Sequence, residues 1–244
     1  MSQVSIIIPV FNEANYLGHT LRCLQTLDPP AYETIVVDGG STDATVEIAT
    51  QYPTTVITTP QRGRALQMNT GAKLATGEIL CFVHGDTLVP HDLVLVLGQT
   101  LVNPAISGGG FISIMAGGQT TRWGITLHNA LKTYYAPLIF RPQRFFKDGL
   151  RVLFGDQAIF CRRCDFWTCD GFDITLPIME DADLCLRLSK LGRIRQLNRV
   201  VQSSDRRVAQ WGPLKANFIY FAIGSLWAMG VSATWLKQFY EDVR

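Results

Sequence analysis

Six short clusters in this 244-residue chain combine acids, arginines and glycines in a way that suits transfer chemistry on a phosphorylated ligand. Pro9-Val10-Phe11-Asn12-Glu13 ends a β-branched run, offers an aromatic face on which a base could lie, and places Glu13 to take ribose or base donors. Asp38-Gly39-Gly40-Ser41-Thr42-Asp43 sets a carboxylate at a strand tip before flexible backbone that lets a ligand approach; Asp38 can accept from a base imide, whereas Ser41 and Asp43 read first as caps of the next helix. Arg64 falls in the opening turn of a helix, where free N–H groups and a guanidinium can meet phosphate oxygens. His84-Gly85-Asp86-Thr87 brings a hard oxygen donor to a strand end. Asp86 suits Mg²⁺ or Mn²⁺ neutralising a diphosphate, and His84 either adds a nitrogen ligand or orients the aspartate. Met179-Glu180-Asp181-Ala182-Asp183 opens a helix with three acids. These answer the helix dipole, or one of them, Asp181 for choice, takes a proton from an acceptor hydroxyl while Glu180 or Asp183 positions it. Arg206 and Arg207, after Ser203-Ser204-Asp205 in an expected loop, either hold a diphosphate or anionic acceptor or form a solvated pair.

The elements that must position these groups follow from periodicity. Strands are expected at 4–10, 34–38, 54–58 and 78–84, with helices at 13–27, 43–52 and 64–75 between them. This alternation specifies a mostly parallel sheet covered by helices, with each cluster just beyond a strand's carboxyl end, where open α/β sheets bind ligands. Asn69 and Gly71 read as helix-to-sheet packing devices, and Gly108 to Gly110 as a bare glycine run. Beyond residue 105 the pattern predicts strands at 106–114 and 154–161 and a helix at 180–190. Residues 216–236 hold no charge, but Gly230 and Ser232 divide them into two short helices that pack, bury an oligomer interface or lie on a membrane surface.

Composition narrows the classes. With 22 Lys/Arg against 20 Asp/Glu and no dense basic block, nucleic acid is not an expected partner. The residues at the amino end do not resemble a secretory leader, so a cytoplasmic setting is expected, at most peripheral at the inner face of the membrane. The six cysteines then read as reduced thiols, without the second CxxC or His pair that would close a zinc site. There is no GxGxxG after the first strand and no GxxxxGK[ST] anywhere.

Taken in order from Val4 to about Arg207, these pieces resemble family 2 glycosyltransferases of the GT-A fold. Ser-Ile-Ile-Ile-Pro-Val-Phe-Asn-Glu followed by Val-Val-Asp-Gly-Gly-Ser-Thr-Asp is similar to the family's opening, and Glu180-Asp181 to its later acidic motif. The resemblance implies a nucleotide-diphosphate sugar donor, UDP-linked by default, and inversion at the anomeric carbon. It implies Pro9, Phe11, Glu13 and Asp38 at the nucleotide, Asp86 at a divalent metal and Asp181 as base. It departs at Gly39, where a second Asp is frequent, at Met68, where Arg is frequent, and at His84, where the first acid of Asp-x-Asp stands.

Gly-Arg-Ala-Leu-Gln-Met-Asn-Thr-Gly-Ala and Phe-Gly-Asp-Gln-Ala-Ile-Phe resemble a bacterial subgroup, some of whose members are associated with radical-SAM proteins and proposed arsenosugar biosynthesis. This signature makes Asp156 and Gln157 acceptor-site candidates, the acceptor being a small molecule or a lipid. The expected organisation is a GT-A domain over 1–210, with a nucleotide-sugar half at 1–104 and an acceptor half at 105–210, followed by an apolar helical appendage at 211–244. Two rivals are a nucleotidyltransferase, which would carry a glycine-rich basic loop where Phe11-Asn12-Glu13-Ala14-Asn15 stands, and a non-catalytic sugar-nucleotide-binding protein, which would not need Asp181.

Overall fold

The computed structural model describes residues 2–117 and 120–240. In chain order these form β1 (Val4–Val10), α1 (Leu17–Gln25), β2 (Glu33–Asp38), α2 (Thr45–Thr50), β3 (Thr55–Thr58), α3 (Arg64–Leu74), β4 (Ile79–Phe82), β5 (Thr87–Leu88), α4 (Leu93–Leu101) and β6 (Ile106–Ala116). There follow α5 (Trp123–Phe140), α6 (Pro142–Lys147), β7 (Phe160–Arg162), α7 (Arg163–Thr168), α8 (Glu180–Leu188), β8 (Arg193–Ser204), α9 (Arg206–Trp211), α10 (Pro213–Ala228) and α11 (Ala233–Leu236). The strands make one sheet in the order β3-β2-β1-β4-β7-β6-β8-β5. Pairs β1–β2, β1–β4, β2–β3 and β6–β8 are parallel, whereas β7 runs antiparallel to both neighbours and β5 antiparallel to β8.

The side-chain alternation of β1 shows why the sheet is covered on both faces. Ile6 and Ile8 enter one core with Leu17, Leu21 and Leu97, while Ile7 enters the other with Met68, Leu184 and Phe82. Helices α1 and α4 therefore lie on one face and α3 and α8 on the other. Gly71 lets α3 sit close to the sheet: a β-carbon there would come within 2.5 Å of Ile7 Cγ2 and 3.0 Å of Val37 Cγ2. Gly71→Ala is expected to cost about 1–3 kcal/mol as an overpacked core contact, measured as a lowered urea midpoint with an unchanged m-value.

Strand β1 and helix α3 match the expected spans closely, but four expectations need correction. The span 154–161 is not one strand: a tight helical turn at Gly155–Gln157 precedes β7, and Ala158 takes a left-handed φ of 47°. Ser203 and Ser204 end β8 and Arg206 and Arg207 open α9, so this region is a strand-to-helix junction rather than a loop. Helix α1 begins at Leu17, because Asn12 at φ 55° turns the chain first. Ser41 does not cap α2, which starts after Ala44 without a side-chain cap; its hydroxyl serves Asp38 and Asn12 instead.

The tail is broken where Gly230 takes φ 97°, giving α10 and α11. Among the described residues, no helix is long and apolar enough to cross a membrane.

Candidate active site

The carboxyl ends of β1, β2 and β4 lie side by side, which gathers the loops after Val10, Asp38 and Phe82 along one sheet edge. The first two loops are stitched together. Ser41 Oγ, Thr45 Oγ1 and Asp43 Oδ2 accept the main-chain N–H groups of Asn12, Glu13 and Ala14 at 2.8, 2.7 and 3.1 Å, and Asn12 Oδ1 accepts Thr42 N–H at 2.9 Å. The chain thus satisfies the donors freed by its turn, and Phe11 and Glu13 are fixed in direction. Asp38 is buried, and its carboxylate accepts the Gly40 and Ser41 N–H groups and the Ser41 hydroxyl. It shapes the loop and does not line the cleft. Gln67 ties the two strand ends from below, donating to Val10 O at 2.7 Å and Val37 O at 2.8 Å. A β-carbon at Gly39 would lie 3.1 Å from this amide, so the second acid frequent in related sequences has its space filled by Gln67 here. Met68, at another departure, is buried in the core and does not line the cleft, whereas His84, at the third, does.

A cleft of about 620 Å³ opens above this edge, within the range of small-molecule sites. Pro9, Phe11, Glu13, Arg64, His84 and Asp86 from the first half of the chain and Asp156, Glu180, Asp181, Arg206 and Arg207 from the second line it. Tyr220, Ile223, Lys237 and Tyr240 of the tail close its rim. The Phe11 ring carries the guanidinium of Arg62 at 4.3 Å, a planar cation where a base was expected to lie. Gln157 is behind the wall: its amide nitrogen donates to Phe111 O and Thr133 Oγ1, each at 3.2 Å, and its oxygen accepts Phe154 N–H at 2.9 Å. Asp156 does face the cleft and accepts from Asn129 Nδ2 at 3.3 Å.

Two arginine–carboxylate clusters dominate the electrostatics. Arg206 grips Glu13 through two parallel bonds of 2.8 and 2.6 Å and reaches Asp86 Oδ2 at 3.2 Å. Burial pushes the Asp86 carboxyl up to about 6, against the pull of Arg206 and with a further push from Glu13. Arg64 Nε donates to Glu180 Oε1, and its Nη2 stands 3.7 Å from Asp181 Oδ2.

Burial, followed by the charge of Glu180, raises Asp181 to about 7 despite Arg64 and a bond from the Gly155 N–H. Burial thus outweighs the helix N-terminus, which would favour the anion by roughly 0.3–1 kcal/mol. Met179, in front of the pair, is left-handed at φ 68°, a strained entry that turns both acids inward. A carboxylate that titrates near neutrality, buried at the bottom of a ligand-sized cleft, is suited to general-base work.

His84 and Asp181 both pack on Gly155. A methyl group there would overlap His84 Nε2 and stand 2.9 Å from Asp181 Oδ2. Gly155→Ala is expected to lower kcat at least ten-fold by shifting the aspartate, with KM for the donor changed much less; steady-state kinetics beside a thermal melt separates this from unfolding. For a divalent cation, Asp86 supplies a desolvated hard oxygen beside the Glu13 carboxylate, a donor set that suits Mg²⁺ or Mn²⁺ when substrate oxygens complete the shell. Among the described residues, no three His, Cys, Asp or Glu side chains are grouped to hold a metal by themselves. The six cysteines are unpaired, and Cys81, Cys161, Cys169 and Cys185 are buried.

The parallel sheet edge with the cleft above it belongs to a GT-A-type glycosyltransferase fold, which solved structures show. A mannosyltransferase from Pyrobaculum calidifontis in complex with GDP-Man and Mn²⁺ superposes at TM-score 0.67 and 19% identity, over 100% of this chain and 66% of that one. Glucosyl-3-phosphoglycerate synthase from Mycobacterium tuberculosis, with Mn²⁺, UDP and glucosyl-3-phosphoglycerate, superposes at 0.63 and 20% identity over 94% and 81%.

The family profile described as glycosyl transferase family 2 matches residues 5–166, and the chain belongs to that family. Among curated relatives, the glycosyltransferase AglE of Haloferax volcanii is 39% identical over 108 residues, 41% of this chain and 35% of that protein. A PGL/p-HBAD biosynthesis glycosyltransferase of Mycobacterium bovis is 29% identical over 203 residues, 75% of this chain and 68% of its own. The match to AglE thus spans about a third of that relative's length.

Sequence reading had missed Arg62, Gln67, Asn129, Lys132 and the tail tyrosines. The position of Gln67 one helical turn after Arg64 was the only available signal among them.

Proposed function

We propose that this chain transfers a sugar from a nucleotide-diphosphate donor, UDP-linked as the first choice, to an acceptor hydroxyl with inversion. The observation that carries the reading is Asp181, buried in the wall of the cleft next to Glu180 with the Arg64 guanidinium 3.7 Å away, a setting whose burial raises its carboxyl. The acceptor oxygen attacks the anomeric carbon as the bond to the diphosphate breaks; the nucleoside diphosphate leaves and the hydroxyl proton passes to Asp181. Asp86, with substrate oxygens, would hold a divalent cation whose chemistry is to neutralise charge on the leaving diphosphate.

Arg64 has a second use in this scheme. It compensates Glu180 and Asp181 in the free protein, and an entering diphosphate competes for its guanidinium, leaving Asp181 more basic when it must accept a proton. Arg206 and Arg207 stand on the same cleft for the diphosphate or an anionic acceptor. Residues 1–104 then serve the donor and 105–210 the acceptor, with 211–240 contributing Tyr220 and Tyr240 to the rim.

The test is an acceptor panel with α-linked UDP-sugars, the product being analysed by proton NMR. A β-linked product together with free UDP supports the reading. An α-linked product would overturn inversion, and release of sugar 1-phosphate with the nucleotidyl group carried to the acceptor would assign the rival nucleotidyl transfer.

A further inference from the structure

The outer face of α5 and α10 departs from what a water-soluble surface requires. Trp123, Leu127, Leu131 and Leu138 are exposed along one stripe of α5, and Leu214 (85%) and Phe218 (71%) along α10. The opposite sides of both helices are the buried ones, with Asn129 and Thr133 on α5 and Ala216 and Ile223 on α10. The helices run side by side in the same direction: His128 Nδ1 meets Asn217 Oδ1 at 2.6 Å, and eight to twelve residues further on Ala136 and Phe140 share a small apolar pocket with Gly224 and Ala228. With their inner sides on the body and their flanks on each other, the two apolar stripes form one outward surface.

Charge supplies the second observation. Residues 120–154 and 206–240 contain ten Lys or Arg and one acid, Asp148; Lys132, Arg206, Arg207 and Lys237 belong to the cleft, and Arg122 and Arg144 pair with Asp205 and Asp148, which leaves four basic residues outside the cleft and these pairs. Arg141, Lys147 and Lys215 are exposed: Arg141 directly follows α5, Lys147 ends α6, and Lys215 stands next to Leu214 on α10.

A contiguous apolar face with a basic margin, on helices too short or too polar to span, is the pattern of an interfacial element. We propose that the α5–α10 face docks on a bilayer surface that carries anionic lipid headgroups. A second copy of the same face is the poorer occupant, because a two-fold contact would oppose like charges. Lys132 and Tyr220, on the inner sides of the same helices, line the cleft, so docking holds the cleft about one helix diameter, roughly 10 Å, from the lipid.

The experiment is co-sedimentation of the full chain with vesicles of phosphatidylcholine alone or mixed with phosphatidylglycerol, at low and high salt, beside light scattering of the protein alone. Binding to the mixed vesicles that weakens with salt is expected. Lys215→Ala should lower partitioning about five-fold on mixed vesicles only, the factor for one lysine at a charged surface. Leu131→Gln with Phe218→Gln should lower it more than ten-fold on both, with an unchanged thermal melt. Protein that stays in the supernatant with either lipid overturns the proposal. So does a dimer that dissociates in the Leu131/Phe218 variant while vesicles bind nothing, which would assign the face to self-association.

Discussion

Asp181→Asn is expected to lower kcat by about 10²–10⁴-fold, the range for loss of a general base, while donor binding is retained. The amide keeps the shape of the carboxylate and can still accept from the Gly155 N–H, but it cannot take the acceptor proton. The wild-type pH profile should show the matching limb. Asp181 acts as the anion and is held near 7 in the free protein, so kcat/KM rises with pH up to about 7 and then levels. The variant should lose that limb. An Asp181→Asn enzyme with wild-type turnover would remove the residue from the mechanism and make Asp156, another acid facing the same cleft, the next candidate base.

Arg206→Met is the substitution with the largest expected effect on stability. It strips the compensating cation from Glu13, which is 6% exposed, and from Asp86, whose side chain is 12% exposed, leaving two poorly solvated carboxylates together. Removing one partner from a buried ion cluster costs about 3–5 kcal/mol, and the lower end is expected here because the arginine side chain is 21% exposed. The sign with pH follows from the carboxyls. Asp86 already lies above its ordinary value, and without Arg206 it is raised further, so the folded variant binds protons that the unfolded chain releases. Its deficit should therefore be greatest above about pH 7 and shrink as pH falls through 6. Urea unfolding of variant and wild type at pH 8 and pH 5 checks this. A pH-independent deficit would mean that the arginine contributes by packing and not by charge.

The parts of the molecule legible in the sequence are those in which local pattern and burial agree. Strand β1 alternates cleanly between two cores, Arg64 opens α3 where the glycine before it predicts a start, and Glu180-Asp181 opens α8. Helix α5 was illegible because its pattern is inverted: Asn129, Lys132 and Thr133 point inward while Trp123, Leu127 and Leu131 point out. Strand β8 hid among charges, since its arginines face solvent on an otherwise paired strand. Ile159 to Cys161 has strand composition, but Gly155-Asp156-Gln157 before it does not, and the bonds of the Gln157 amide hold that half in a turn.

Within the site, the clusters were visible one by one and their pairing was not. Glu13 and Arg206 are 193 residues apart, and Arg64 and Glu180 are 116 apart, so no local periodicity links them. For the same reason Asp38 and Gln157 read as ligand contacts, although the structure engages their polar atoms in its own loops.

The most direct test of the donor site is nucleotide binding followed by thermal shift. UDP, GDP and their sugar conjugates would be titrated with Mn²⁺, Mg²⁺ or EDTA into wild type, Asp86→Asn and Asp181→Asn. One nucleotide diphosphate is predicted to stabilise the wild type with metal present, by about 2.7 kcal/mol at a hundred times its Kd. The shift should persist in Asp181→Asn and vanish in Asp86→Asn, even though Asp86→Asn should itself be no less stable than wild type at pH 8. Absence of stabilisation by every nucleotide, with either metal and without, would contradict the account at its root.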